Sequence, residues 1–216
     1  MAKRNPFKHF HRNKAKEAQT KSSLEPSLFA KRVLLAIFVI FLLSFPHYAP
    51  WEPAYVQSDT FTQKIFTLYF FIVNQTLGIV HEGGHGVCYL LNCPEFITVA
   101  NGTVFQLLFP GLIAYYYYKK GSAFTAMIAL FFLGFSLQYT AWYLSTAHEG
   151  LILPAHKSFL GVDAYHDFNY MLSVTGILAY ESLIAGVTRF VAYVIMIIAV
   201  LCMFFDAFSH TKEKQA

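Results

Sequence analysis

The long apolar runs of this chain are what most limit the folds open to it. Leu28–Pro46 reads LFAKRVLLAIFVIFLLSFP, and Leu183–Phe208 reads LIAGVTRFVAYVIMIIAVLCMFFDAF. A helix rises about 1.5 Å per residue, so runs of this length match a hydrocarbon core about 30 Å thick. Ile65–Leu91 and Ser122–Tyr143 are two further runs of the same kind. Only 13% of the 216 residues are charged and 56% are hydrophobic, against about 25% charged in an ordinary soluble domain. The expected class is an all-α polytopic membrane protein with about four full transmembrane helices.

Charge is uneven along the chain. Nine of its sixteen Lys and Arg fall in the first 32 residues, in a stretch without apolar periodicity. Residues 1–27 are therefore read as a disordered basic arm, 28–208 as a single transmembrane domain and 209–216 as a tail. The positive-inside rule places the arm, Lys119-Lys120 and the tail lysines in the cytoplasm, with 47–64 and 144–167 facing outward. The arm can also meet anionic lipid headgroups; nucleic acid is not an expected partner. It is too long for a signal-peptide n-region, and His47 stands where a small residue would be needed after the first span. The first segment thus reads as a retained anchor. Cys88, Cys93 and Cys202 are odd in number and lie in or beside apolar segments, so they suggest no disulfide framework.

Between the second and third runs lies CPEFITVANGTVFQLLFP, residues 93–110. FITVA and TVFQL are rich in β-branched residues and flank Asn101-Gly102, the strongest two-residue hairpin signal. The expectation is a re-entrant β-hairpin over 96–107 followed by a short helix. A hairpin at membrane depth needs a protein-lined or wet surround, which places it beside a cavity.

The second run contains HEGGH, residues 81–85. Residues four apart share a helix face, so His81 and His85 can aim two imidazoles at one point. That arrangement suits zinc, and Glu82 next to them can serve as a base toward water on the metal. Burying three such polar groups in lipid without a purpose costs several kcal/mol. Haem needs ligands from opposite sides, a di-iron site needs a second Glu-x-x-His, and the histidine clusters of membrane desaturases are absent from the sequence. Counting from Lys64, the site would lie toward the cytoplasmic half of the membrane.

A catalytic zinc needs a third protein ligand. Cys88 shares the histidine face but suits a small apolar role. His148, Glu149, His156 and Asp163 lie in a polar loop. YHDFNYML, residues 165–172, is the best source: His166 and Asp167 compete for the position, one ligating while the other orients a histidine. The competing structural role is an N-cap by Asp167.

These residues together resemble the site-2 protease family of intramembrane zinc metalloproteases, and more closely a set of small bacterial membrane proteins related to it. The shared elements are HEGGH, NGTVFQLLFP and HDFNYML, spread over residues 65 to 206. The resemblance implies that His81 and His85 bind Zn2+, that Glu82 is the catalytic base and that His166 and Asp167 complete the site. It also implies a bacterial inner membrane. The Leu-Asp-Gly stretch of the larger family is missing, as is a PDZ-like module, and Phe168 replaces the tryptophan of the smaller group.

The expected function is an intramembrane zinc metallopeptidase that hydrolyses peptide bonds of a membrane-protein or peptide substrate in or near the bilayer. The 96–107 strand edge would hold an unwound substrate, with Asn101 or Gln106 binding its backbone. The alternative is a polytopic metal-binding protein without hydrolysis, such as a sensor or assembly factor.

Overall fold

The computed structural model describes residues 25–49, 60–153 and 164–209. Most of the basic arm, most of the 47–64 loop, His156, Asp163 and the final tail lie outside them. Six α-helices carry the fold: α1 (Leu28–Tyr48), α2 (Phe61–Leu90), α3 (Glu95–Lys119), α4 (Ala123–Leu144), α5 (Asp167–Val174) and α6 (Glu181–Ser209). Two 3-10 turns, Ala147–Glu149 and Leu178–Tyr180, and one antiparallel pair, β1 (Ile152–Leu153) with β2 (Ala164–Tyr165), complete it.

Among the described residues, four helical segments are long and apolar enough to cross a membrane: Leu28–Tyr48, Glu95–Lys119, Ala123–Glu149 and Leu178–Ser209. The number matches the sequence expectation, but the membership differs. Helix α2 runs for 30 residues yet is not among them. Its run of Asn74, Gln75, Thr76, His81, Glu82 and His85 makes it too polar.

Helix α3 takes its place and corrects the hairpin expectation. Residues 96–107 are continuous helix, and Pro110–Tyr118 is the same helix rather than a separate short one. A helix satisfies every backbone donor and acceptor internally, as lipid demands, whereas two short strands leave edges unpaired. Against that, the β preference of Ile97, Thr98, Val99 and Val104 is a weak term. Four residues of α3 are buried: Thr98, Gly102, Gln106 and Pro110. They stand four apart in one row, and that row is what α3 turns to its neighbours.

The bundle is built around α4 and α6. Helix α6 packs through Ala185, Ala192, Met196, Ala199, Met203 and Ala207, all buried. Small residues at the spacing of one helix face let two helices approach closely in lipid. Gly134 of α4 receives Met196, and an added Cβ there would stand 3.0 Å from the Ala192 carbonyl oxygen. Beside that contact an aromatic cluster joins α4 to α1 and α2: Phe135 meets Phe45 at 5.8 Å and stacks on Phe70 at 5.8 Å.

The two ends of the bundle differ in chemistry. At one end Lys31 pairs with Glu25 (2.5 Å) and with Asp206 near the end of α6 (2.6 Å), and lies 5.5 Å over the Phe124 ring at the start of α4. Helix α3 ends there too, with Lys119 and Lys120. At the other end lie the C-terminal part of α4, the β-pair, α5 and the start of α6. Glu181 of α6 there holds the His148 imidazole of the first 3-10 turn.

Candidate metal centre

The site forms where α2, α3, α4 and α5 meet at this second end. His81 and His85 lie one turn apart on α2, and their Nε2 atoms approach to 3.1 Å. Asp167, the first residue of α5, brings Oδ2 to 2.9 Å from His81 Nε2 and 3.4 Å from His85 Nε2. The three residues offer one donor atom each, all within 4.8 Å of one another.

The outer nitrogens settle the tautomers. His85 Nδ1 lies 2.8 Å from the Thr98 carbonyl oxygen, which can only accept, so Nδ1 carries the hydrogen. His81 Nδ1 lies 3.0 Å from Gln106 Oε1 and donates in the same way. Gln106 is held in that orientation because its own Nε2 donates to Ser136 Oγ at 3.0 Å. In the neutral form that a metal ligand takes, each ring keeps a lone pair on Nε2, aimed at the other ring and at a carboxylate. Three acceptors so close repel unless a positive charge lies between them.

A divalent cation fits that requirement. Tetrahedral zinc with bonds of 2.0–2.1 Å spaces its donors about 3.3 Å apart, close to the separations seen here. Gly102 supplies a second, independent sign. A Cβ added to it would stand 2.7 Å from His81 Nε2 and closer still to His85 Nε2. The chain thus keeps a side chain out of the one place where both nitrogens converge.

Asp167 is positioned by its surroundings. Its backbone N–H donates to the Tyr143 hydroxyl at 3.0 Å.

His166 does not join the group. It is fully buried, stacks on Tyr143 with centroids 4.5 Å apart, and places Nε2 3.0 Å from Thr146 Oγ1. Its Nδ1 accepts the Asn169 N–H at 3.4 Å, so His166 caps α5, the role the sequence had offered to Asp167. Burial pushes its imidazole below the ordinary value, against the opposing charge of Asp167.

Nor do Asn101 and Gln106 present themselves to a substrate backbone. Asn101 Nδ2 donates to the Gly84 carbonyl at 2.7 Å and ties α3 to α2. A Cβ on Gly84 would lie 2.9 Å from the Asn101 carbonyl carbon, so this glycine permits the close approach of α3 to α2. Gly83 has open space and plays no such part. Gln106 is committed to His81 and Ser136. Among the remaining candidates, Cys88 lies in the same cavity outside the donor group, and His148 is engaged by Glu181.

A cavity of about 660 Å³ opens over the donors. Glu82, half-buried, lines it beside His81, His85 and Asp167, as do Tyr139, Tyr143, Tyr165 and Tyr170. Thr98, Ser136 and Tyr143 were not singled out from the sequence. Each acts by a long-range contact that leaves no local pattern.

The depth expectation is also corrected. The His81 ring lies 6.4 Å from Tyr143, near the end of α4, while Lys31 lies at Phe124 near its start. Those positions are about 28 Å apart along the helix. The site therefore lies toward the end remote from the lysines, not toward their half.

Comparison of the chain with protein-family models, curated proteins and solved structures finds no match in any of the three.

Proposed function

We propose that the protein is a zinc metallopeptidase of the membrane, hydrolysing a peptide bond held in the cavity over His81, His85 and Asp167. The observation that supports this best is the set of three converging acceptors with both Nδ1 atoms already committed to Gln106 and Thr98. Such committed outer nitrogens are what ligating histidines show. His81, His85 and Asp167 would hold the zinc, which would supply Lewis-acid polarisation of a carbonyl and acidification of water.

The chain's own residues do the rest. Glu82 follows His81 directly and shares the cavity, placed to take a proton from the attacking water and return it to the departing amine. Gln106 and Thr98 hold the imidazoles, and Tyr143 holds the backbone of Asp167. Five tyrosines, Tyr89 among them, give the cavity an amphipathic lining suited to a peptide leaving lipid. With the basic end in the cytoplasm by the positive-inside rule, the cavity opens toward the opposite face of a bacterial inner membrane.

The test uses detergent-solubilised protein, its zinc content and a panel of single-span model substrates. Wild type holding about one zinc and cleaving a substrate, with Glu82→Gln retaining zinc and losing cleavage, supports the reading. Zinc with no cleavage of any substrate, and wild type indistinguishable from Glu82→Gln, favours a metal-binding protein without hydrolysis. Absence of zinc after chelator-free purification overturns both.

A further inference from the structure

We propose that Cys88 and Cys93 form a redox-active dithiol at the corner joining α2 to α3, set side by side by the helix-terminating turn and opening onto the metal-site cavity. The inference does not rest on the peptidase reading.

The backbone brings the two residues together. Asn92 is the one non-glycine residue with positive φ (52°) among the described residues. The Cys93 N–H donates to the Cys88 carbonyl at 3.0 Å and the Asn92 N–H to the Tyr89 carbonyl at 3.3 Å. These are the two bonds of a Schellman motif, whose outer pair of side chains usually makes an apolar contact across the turn. Here that pair is two thiols, Cys88 and Cys93. The bonds linking the two α-carbons through this hydrogen bond limit their separation to about 7 Å, and disulfides need about 4.4–6.8 Å.

Access is provided as well. Both cysteines line the cavity, Cys88 buried at its wall and Cys93 partly exposed. They belong to the end of the bundle remote from Lys31, Lys119 and Lys120. The positive-inside rule turns that end away from the reducing cytoplasm, toward a compartment in which disulfides persist.

The reaction is exchange with a disulfide oxidant, R–S–S–R. The Cys93 thiol loses its proton, attacks one sulfur and releases the first R–S⁻, which takes up a proton. The Cys88 thiol then attacks the mixed disulfide and releases the second. The protein loses two hydrogens and the oxidant becomes two thiols. The closed bond would lock the corner from which α3 presents Thr98 to His85.

The test equilibrates full-length detergent-solubilised protein in glutathione buffers of increasing oxidised fraction, quenches in acid, unfolds, alkylates and measures mass. The expected result is that Cys88 and Cys93 become protected together, with two hydrogens lost, while Cys202 stays alkylated. Cys93→Ser is expected to lose this concerted step. Full alkylation of wild type at every ratio would overturn the proposal and leave two small apolar contacts. So would a glutathione adduct on either cysteine that never closes.

Discussion

Gly102 of α3 lies so near His81 of α2 that a methyl group on its α-carbon would stand 2.7 Å from the imidazole Nε2. Helix propensity favours alanine over glycine by about 1 kcal/mol, yet here alanine would intrude on the donors. Gly102→Ala is expected to weaken zinc binding by at least about 100-fold, beyond the usual effect of an outer partner. Gly83→Ala, with open space around it, should leave zinc unchanged. Equal zinc content in both variants would contradict the geometry.

Asp167 and His166 are neighbours with different duties, and substitution separates them. Asp167→Asn removes the anionic donor and should empty the site in a zinc-to-protein measurement. His166→Gln keeps a hydrogen-bonding side chain near Thr146 and should retain close to one zinc. The reverse pattern would mean that α5 starts differently from the way it is described above.

Gln106 touches His81 Nδ1 and would act on a metal only through that ring. Gln106→Ala frees the imidazole to rotate and leaves Ser136 without its donor, so zinc affinity is expected to fall 10–100-fold without vanishing. Competition with a chromogenic chelator reads this directly. An unchanged affinity would show that the His81 ring is held by packing alone.

Burial holds His166 neutral in the folded protein. The unfolded chain binds a proton there as pH falls through about 6.5, while the folded chain resists it. Stability from this group is therefore present above that pH and lost below it. The thermal midpoint in detergent should fall between pH 7 and pH 5 more steeply for wild type than for His166→Gln, and parallel curves would refute this.

Orientation is testable without a substrate. With native cysteines replaced, Leu151→Cys at the cavity end and Lys120→Cys at the opposite end should differ in reaction with a membrane-impermeant maleimide on intact cells. Label on Leu151→Cys alone is the expected outcome. Label on Lys120→Cys alone would place the cavity in the cytoplasm.

The local part of this site was legible in the sequence because helical periodicity is local. His81 and His85 need only one turn of helix to converge, and Glu82 follows from adjacency. Asp167 was legible as one of a pair, but the choice depended on which residue capped α5, and capping is decided by the turn that enters the helix. Helix α3 was misread for a physical reason. Asn101-Gly102 and the β-branched residues around it carry a genuine local preference for a hairpin, and lipid burial overrode it. The glycine was noticed as a turn former; its use is to stay out of the way of two imidazoles. Tyr143 and Ser136 gave no signal, since each serves a partner on another helix.

The row Thr98, Gly102, Gln106 and Pro110 has one more consequence, for how distant versions of this protein would be recognised. Between these positions most residues of α3, Asn101 and Val99 apart, are partly or fully exposed and can change to other apolar types, so overall similarity can decay a long way. The spacing cannot. One inserted or deleted residue between Thr98 and Gln106 would turn the helix by about 100° and part Thr98 from Gln106, leaving one imidazole without its acceptor while both histidines stay in place. A useful fingerprint is therefore HExxH followed by T-x3-G-x3-Q-x3-P, a pattern of gaps more durable than the letters around it.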